Sequence, residues 1–81
     1  MNITSSNIKS AEYDKRKHQL VMIFHNRPNW VYVYYAVPPL VWVDFIKADS
    51  HGKFFSNNIR DVFRYRKFIN GNNINGKTKR N

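Results

Sequence analysis

The chain has 81 residues, enough for one domain and too few for two. Fourteen Lys and Arg against five Asp and Glu give a formal net charge of +9, while 42% hydrophobic and 16% aromatic residues exclude an intrinsically disordered basic peptide. With no cysteine, disulfides, thiolate metal sites and cysteine nucleophiles are excluded, so a small core must stand on packing alone, worth about 3–5 kcal/mol.

Residues 1–7, MNITSSN, form a polar arm that is expected to be flexible, and the first ten residues contain no apolar signal region. Ile8–Tyr13 reads as a first strand with weak alternation, and Asp14–His18, DKRKH, as a charged turn. Gln19–His25 reads as a strand apolar on both faces: Leu20, Met22 and Phe24 point one way, Val21 and Ile23 the other. Asn26–Asn29, NRPN, has turn chemistry, because proline fixes φ and asparagine tolerates the left-handed region. Trp30–Ala36, WVYVYYA, is the strongest strand signal, being β-branched or aromatic throughout except for its last residue. The two runs together predict an antiparallel hairpin.

Proline is tolerated at the start of a helix, so Pro38-Pro39 opens a predicted short helix, Leu40–Ala48, with Val41, Phe45 and Ala48 on one stripe. Asp49–Gly52 is expected to end it, with Ser50 as a cap or turn hydroxyl and Gly52 in a left-handed C-terminal position. Lys53–Asn57 reads as a turn holding Phe54-Phe55, and Asn58 as the cap of a second helix, Ile59–Phe68. Residues 69–81 lack periodicity and read as a disordered basic tail. The predicted fold class is therefore α+β: a three-stranded antiparallel β-meander followed by two short α-helices packed on one face, over residues 8–68. Because the hairpin is apolar on both sides, its second face calls for cover from the N-terminal arm, a second copy or a ligand.

The longest uncharged run, residues 28–43, is short for a membrane span and is interrupted by Pro38-Pro39, so a cytoplasmic protein without a membrane partner is expected. Charge is concentrated late: residues 1–50 are net +2 and residues 51–81 net +7. On the predicted second helix Arg60, Arg64 and Lys67 recur at i, i+4 and i+7, with Arg66 nearby and Lys53 upstream. A basic stripe of this kind suits phosphate tracking, an acidic protein partner, an anionic membrane surface or a merely solvated face. Trp30, Tyr32 and Tyr34 alternate along their strand and share one side of the sheet. That row is either a stacking platform for bases or the core face under the helices.

The order of residues also resembles a known family. Tyr32-x-Tyr34-x-x-Val37-Pro38, then Ala48-x-Ser50-x-Gly52-x-Phe54-Phe55, then Ile59-Arg60 follow a strand with Leu20 and Phe24 and an Ile8…Tyr13-Asp14 stretch. This string, spanning roughly residues 6–68, is similar to the KTSC domain, which is appended to some lysyl-tRNA synthetases and also stands alone in bacterial and phage proteins. The chain departs from the family pattern at Ser56, where asparagine is usual after the paired aromatics, and at Arg27-Pro28-Asn29, where glycine is common in the hairpin turn. The resemblance implies RNA as an associated partner.

Enzyme chemistry is not indicated. Histidines 18, 25 and 51 stand singly, no H-E-x-x-H, G-x-S-x-G or P-loop pattern occurs, and the acids have no metal-ligand spacing. No catalytic residue, cofactor or metal is expected. Two functions remain: a nucleic-acid-binding module, RNA or single-stranded nucleic acid favoured, using Arg60, Arg64, Arg66, Lys67, Lys53, Tyr32 and Tyr34; or a small phage or mobile-element protein that docks on an acidic host protein. A monomer and a homodimer are compatible with either.

Overall fold

Alternation of apolar residues organises the sheet. The computed structural model describes residues 5–69. Strand β1 (Ile8–Asp14), β2 (Gln19–Phe24) and β3 (Arg27–Tyr34) form an antiparallel meander. Two helices follow, α1 (Pro39–Lys47) and α2 (His51–Asn58), and the chain then returns as β4 (Tyr65–Ile69). The sheet order is β1-β2-β3-β4, with β4 antiparallel to β3 in the register Trp30↔Ile69, Tyr32↔Lys67 and Tyr34↔Tyr65.

The fold is thus α+β as expected, with four strands rather than three. The expected second helix over Ile59–Phe68 is not formed. Phe54-Phe55, expected in a turn, belong to α2, and Asn58 ends that helix instead of capping the next. Residues 59–63 make a turn held by the N–H groups of Val62 and Phe63 donating to the Ile59 carbonyl. Spacings of three and four between Ile59, Val62 and Phe63 imitate a helical stripe, yet Val62 is 62% exposed while Ile59 is fully buried at the end of α2. Beyond them, alternation is the true period, and β3 supplies the backbone partners that make residues 65–69 a strand.

Other boundaries move for local reasons. The hairpin turn is His25-Asn26, so Arg27, Pro28 and Asn29 open β3 instead of forming the turn. Proline is acceptable at that strand start, before the ladder to β4 begins at Trp30. The register between β2 and β3 shifts between Met22 and Phe24, and the three extra residues on β3 are absorbed there. Helix α1 begins as read, with Pro39 in its first turn. Ser50 does cap α2, its Oγ accepting from the Lys53 N–H at 3.2 Å, which places Gly52 in the first helical turn and not at a helix end. Ser5–Asn7, expected to be part of a flexible arm, are tied to the sheet. Ser5 Oγ accepts from the N–H groups of Asn7 and Ile8, and the Asn7 carbonyl accepts from His25 N–H at 2.9 Å. Ile69, expected in the tail, ends β4; the remainder of the predicted tail, 70–81, lies outside the described residues.

The core sits between the helices and one face of the sheet. Ile8, Ala11, Leu20, Met22 and Tyr34 from the strands meet Val37, Phe45, Phe55 and Ile59. Rings carry much of the contact: Tyr13 stacks on Trp42 at 5.5 Å, Trp42 on Phe45 at 5.7 Å, and Phe55 meets both Phe24 and Tyr34. The Tyr13 hydroxyl donates to the Val37 carbonyl at 2.6 Å, pinning the β3–α1 connection to β1. Among the described residues no helix is long and apolar enough to cross a membrane.

Three positions in this frame carry a local cost: His18 and Ala36 have positive φ, and His51 buries a ring nitrogen. Ala36 has φ of 56°, where an L-residue pays about 1–2 kcal/mol, and it is held there because Val37 N–H donates to the His18 carbonyl while Tyr35 N–H donates to that of Arg64. Glycine removes the steric cost but gains unfolded-chain entropy of about 0.4–1 kcal/mol. Ala36→Gly is therefore expected to raise the unfolding free energy by about 0.5–1 kcal/mol in a urea titration. His51 packs its ring on Phe45 at 5.2 Å and buries Nε2 without a hydrogen-bond partner among the described residues. His51→Phe keeps a ring there and removes a desolvation cost of about 1–3 kcal/mol, so the thermal midpoint is expected to rise.

Candidate nucleic-acid interface

The helices stop short of the β4 edge. Phe55 reaches Phe24 and Tyr34 at 5.2 and 5.4 Å, so α2 stands over β2 and β3. On the same sheet face Tyr65 is 44% exposed and Lys67 is exposed. Between α2 and this uncovered strip lies a cleft of about 460 Å³. Its floor is aromatic, made by Phe24, Tyr32, Tyr34, Phe55 and Tyr65. Its rim is polar, with Asn7 and Asn26 at one end, Ser56 and Asp61 on the helical side, and the guanidinium groups of Arg27 and Arg60.

Strand alternation sets this geometry. Trp30, Tyr32 and Tyr34 face the helices, and the β3–β4 register puts Ile69, Lys67 and Tyr65 beside them. Tyr65 lies 5.2 Å from Tyr34 and 5.9 Å from Tyr32, tilted to both, so the three rings form one patch. At its outer end Lys67 Nζ sits 4.9 Å from the centre of the Trp30 ring, and the Arg27 guanidinium carbon 5.9 Å. Cation–π contacts of this type are worth about 0.5–1 kcal/mol at exposed sites and hold both charges close to the aromatic strip.

The predicted site residues are distributed unequally. Tyr32 is half-buried in the cleft floor. Tyr34 is 2% exposed and belongs to the core, so the expected row is divided: core at one end, open surface at the other. Arg60 stands on the rim, its Nη2 donating to Ser56 Oγ at 3.0 Å. Lys67 joins it on this face, but Arg66, its neighbour along a strand, points to the opposite face. Arg64 precedes β4 and lines a separate depression with Tyr35, Val62 and Phe63. Lys53 is exposed in the first turn of α2, in another groove with Ser5 and Asp49. The helical stripe of Arg60, Arg64 and Lys67 therefore does not exist, because its helix does not. Arg27, Trp30 and Tyr65 complete the site in its place. Tyr65-x-Lys67-x-Ile69 carried a strand period in the sequence that the neighbouring Ile59, Val62 and Phe63 masked.

Residues 4–63 match the KTSC domain family. The chain belongs to that family. A curated protein from Tsukamurella paurometabola is 36% identical over 62 residues, covering 76% of this chain and 90% of its own length. The crystal structure of a KTSC domain protein from Yersinia pestis superimposes with a TM-score of 0.79 at 32% identity, covering 84% of this chain and 93% of the other. The matched family range ends before β4, so Tyr65 and Lys67 lie past it, while Arg27, Trp30, Tyr32 and Arg60 of this KTSC domain lie inside. Among the described residues no group of three or more His, Asp or Glu side chains is placed to hold a metal ion.

Burial raises the Tyr34 hydroxyl to about 12, helped by the neighbouring Tyr65 and Tyr32 and opposed by Arg60. An unfolded tyrosine ionises near pH 10, so above that pH the unfolded chain loses this proton first. The stabilisation is complete below about pH 10 and is lost as pH rises through about 12. Unfolding free energy measured from pH 9 to 12 is expected to fall, and the fall should be shallower in Tyr34→Phe.

Proposed function

We propose that this KTSC domain is a non-catalytic nucleic-acid-binding module that takes a single strand, RNA before DNA, along the β3–β4 strip and into the cleft. The observation that carries this reading is an aromatic floor, Tyr32 and Tyr65, flanked by the cations Arg27, Arg60 and Lys67. Every base has a flat face to stack on tyrosine, and every linkage has a phosphate to attract a cation. A cleft open on one side admits an unstacked base and offers no groove-reading element to a duplex. Asn7, Asn26, Ser56 and Asp61 at the rim provide donors and acceptors for a base edge. RNA is placed ahead of DNA on the family resemblance alone, which associates such domains with some lysyl-tRNA synthetases.

Fluorescence anisotropy with short labelled RNA and DNA strands tests it. Affinity is expected to fall steeply as salt rises. Tyr65→Ala is expected to weaken binding about tenfold, the loss of one stacked base. Lys67→Glu should weaken it more than Lys15→Glu, which changes charge equally in the distant β1–β2 turn. Absence of binding at low salt, or equal effects of the two lysine changes, would overturn the proposal.

A further inference from the structure

The opposite face of the sheet is apolar in the middle and oppositely charged at its two edges. Val21 and Ile23 on β2, Val31 and Val33 on β3, and Phe68 on β4 point away from the helices and are half-buried. None of them belongs to the core or packs against it. The register aligns one row across all four strands: Glu12 opposite Val21, Val21 opposite Val33, Val33 opposite Arg66. Glu12 and Arg66 are both exposed, at opposite edges of the sheet and three strand spacings, about 14 Å, apart. The neighbouring row repeats the order, with Asp14 paired to Gln19 at the β1 edge and Arg64 beside Tyr35 at the other.

We infer that a second copy of this chain covers this face, the two sheets stacked about a two-fold axis that runs parallel to the strands. That axis lays β1 of each copy over β4 of the other, so Glu12 faces Arg66 of the partner subunit while the valines pack between the sheets. The two-fold axis at right angles, also in the plane between the sheets, would place β1 on β1 and set like charges together, so the edge charges choose between them. Such a contact is isologous, with both copies using the same patch. Stacked sheets lie about 10 Å apart with strands within about 30°, as such rows of Val and Ile require. A net charge of +9 on each copy opposes association in general, so the self-complementary signs on this face matter. Residues 70–81, NGNNINGKTKRN, contain a single large apolar residue, Ile74, and are poorly suited to cover five apolar side chains. The patch is only about 14 Å wide and each copy carries +9, so weak self-association is expected, with a dissociation constant on the order of 10–100 µM.

The inference does not depend on nucleic-acid binding, which uses the other face. Sedimentation equilibrium on the full chain, from a few micromolar to about 500 µM, tests it across the expected range. The wild-type chain is expected to dimerise and Val33→Glu to abolish dimerisation. Glu12→Arg and Arg66→Glu should each raise the dissociation constant about tenfold, and the double variant should restore it to within about threefold. Circular dichroism checks that the variants fold; if Val33→Glu does not, the charge exchange at the two exposed positions still decides. A wild-type monomer across the range would overturn the inference, as would a dimer indifferent to Val33→Glu or a double variant no tighter than the single ones. A wild-type monomer would mean that another protein or the chain's own termini cover the face.

Discussion

The Phe55 ring, wedged against Phe24 on β2 and Tyr34 on β3, fixes how far the helical layer extends over the sheet. On the β1 side of that wedge the helices cover the sheet face, and the Tyr13–Trp42–Phe45 stack packs against the core there. On the β4 side no helix covers the face, and Tyr65 and Lys67 are exposed. The cleft is the step between the two. Its floor consists of rings because strand β3 must be apolar where it passes under α2, and the same alternating row continues past the helix. Aromatic surface is therefore exposed here as a consequence of the fold's incomplete cover, and the cations that edge it determine what that surface suits.

Edge strand β4 gives the two sheet faces different properties. Its five residues alternate, so Lys67 joins the aromatic strip while Arg66 and Phe68 join the valine face. Adjacent basic residues thereby serve two surfaces. The helix-side surface pairs cations with rings and suits a strand of nucleotides. The far surface pairs a basic edge with the acidic β1 edge across an apolar centre, which suits itself. If both proposals hold, a dimer would carry its two clefts on outward-facing sides, each free to take a separate stretch of nucleic acid.

Much of this was legible in the sequence. The β-branched and aromatic run over Trp30–Ala36, the prolines before α1 and the hydroxyl of Ser50 act through local backbone chemistry, which a one-dimensional reading captures. Family membership was legible as well, because the order of Tyr32, Tyr34, Val37, Pro38 and Gly52 survives in one dimension. The second helix was not, and the error carried over to the site. Ile59, Val62 and Phe63 satisfy a helical period by spacing alone, while residues 65–69 have too little apolar content to announce a strand. Arg60, Arg64 and Lys67 were grouped by a helix the chain does not form, and Arg27 and Tyr65 were omitted because nothing local joins positions so far apart.

Composition, charge and local pattern were enough to determine a small basic α+β domain with an aromatic hairpin apolar on both faces. Only the tertiary structure decided which rings are buried and which cations stand beside the exposed ones. The reason is that β4 is a strand by virtue of its hydrogen bonds to β3, formed across the thirty residues between Tyr34 and Tyr65. The alternation of Tyr65, Lys67 and Ile69 fits a strand, but a period inside one segment does not say which distant strand will pair with it.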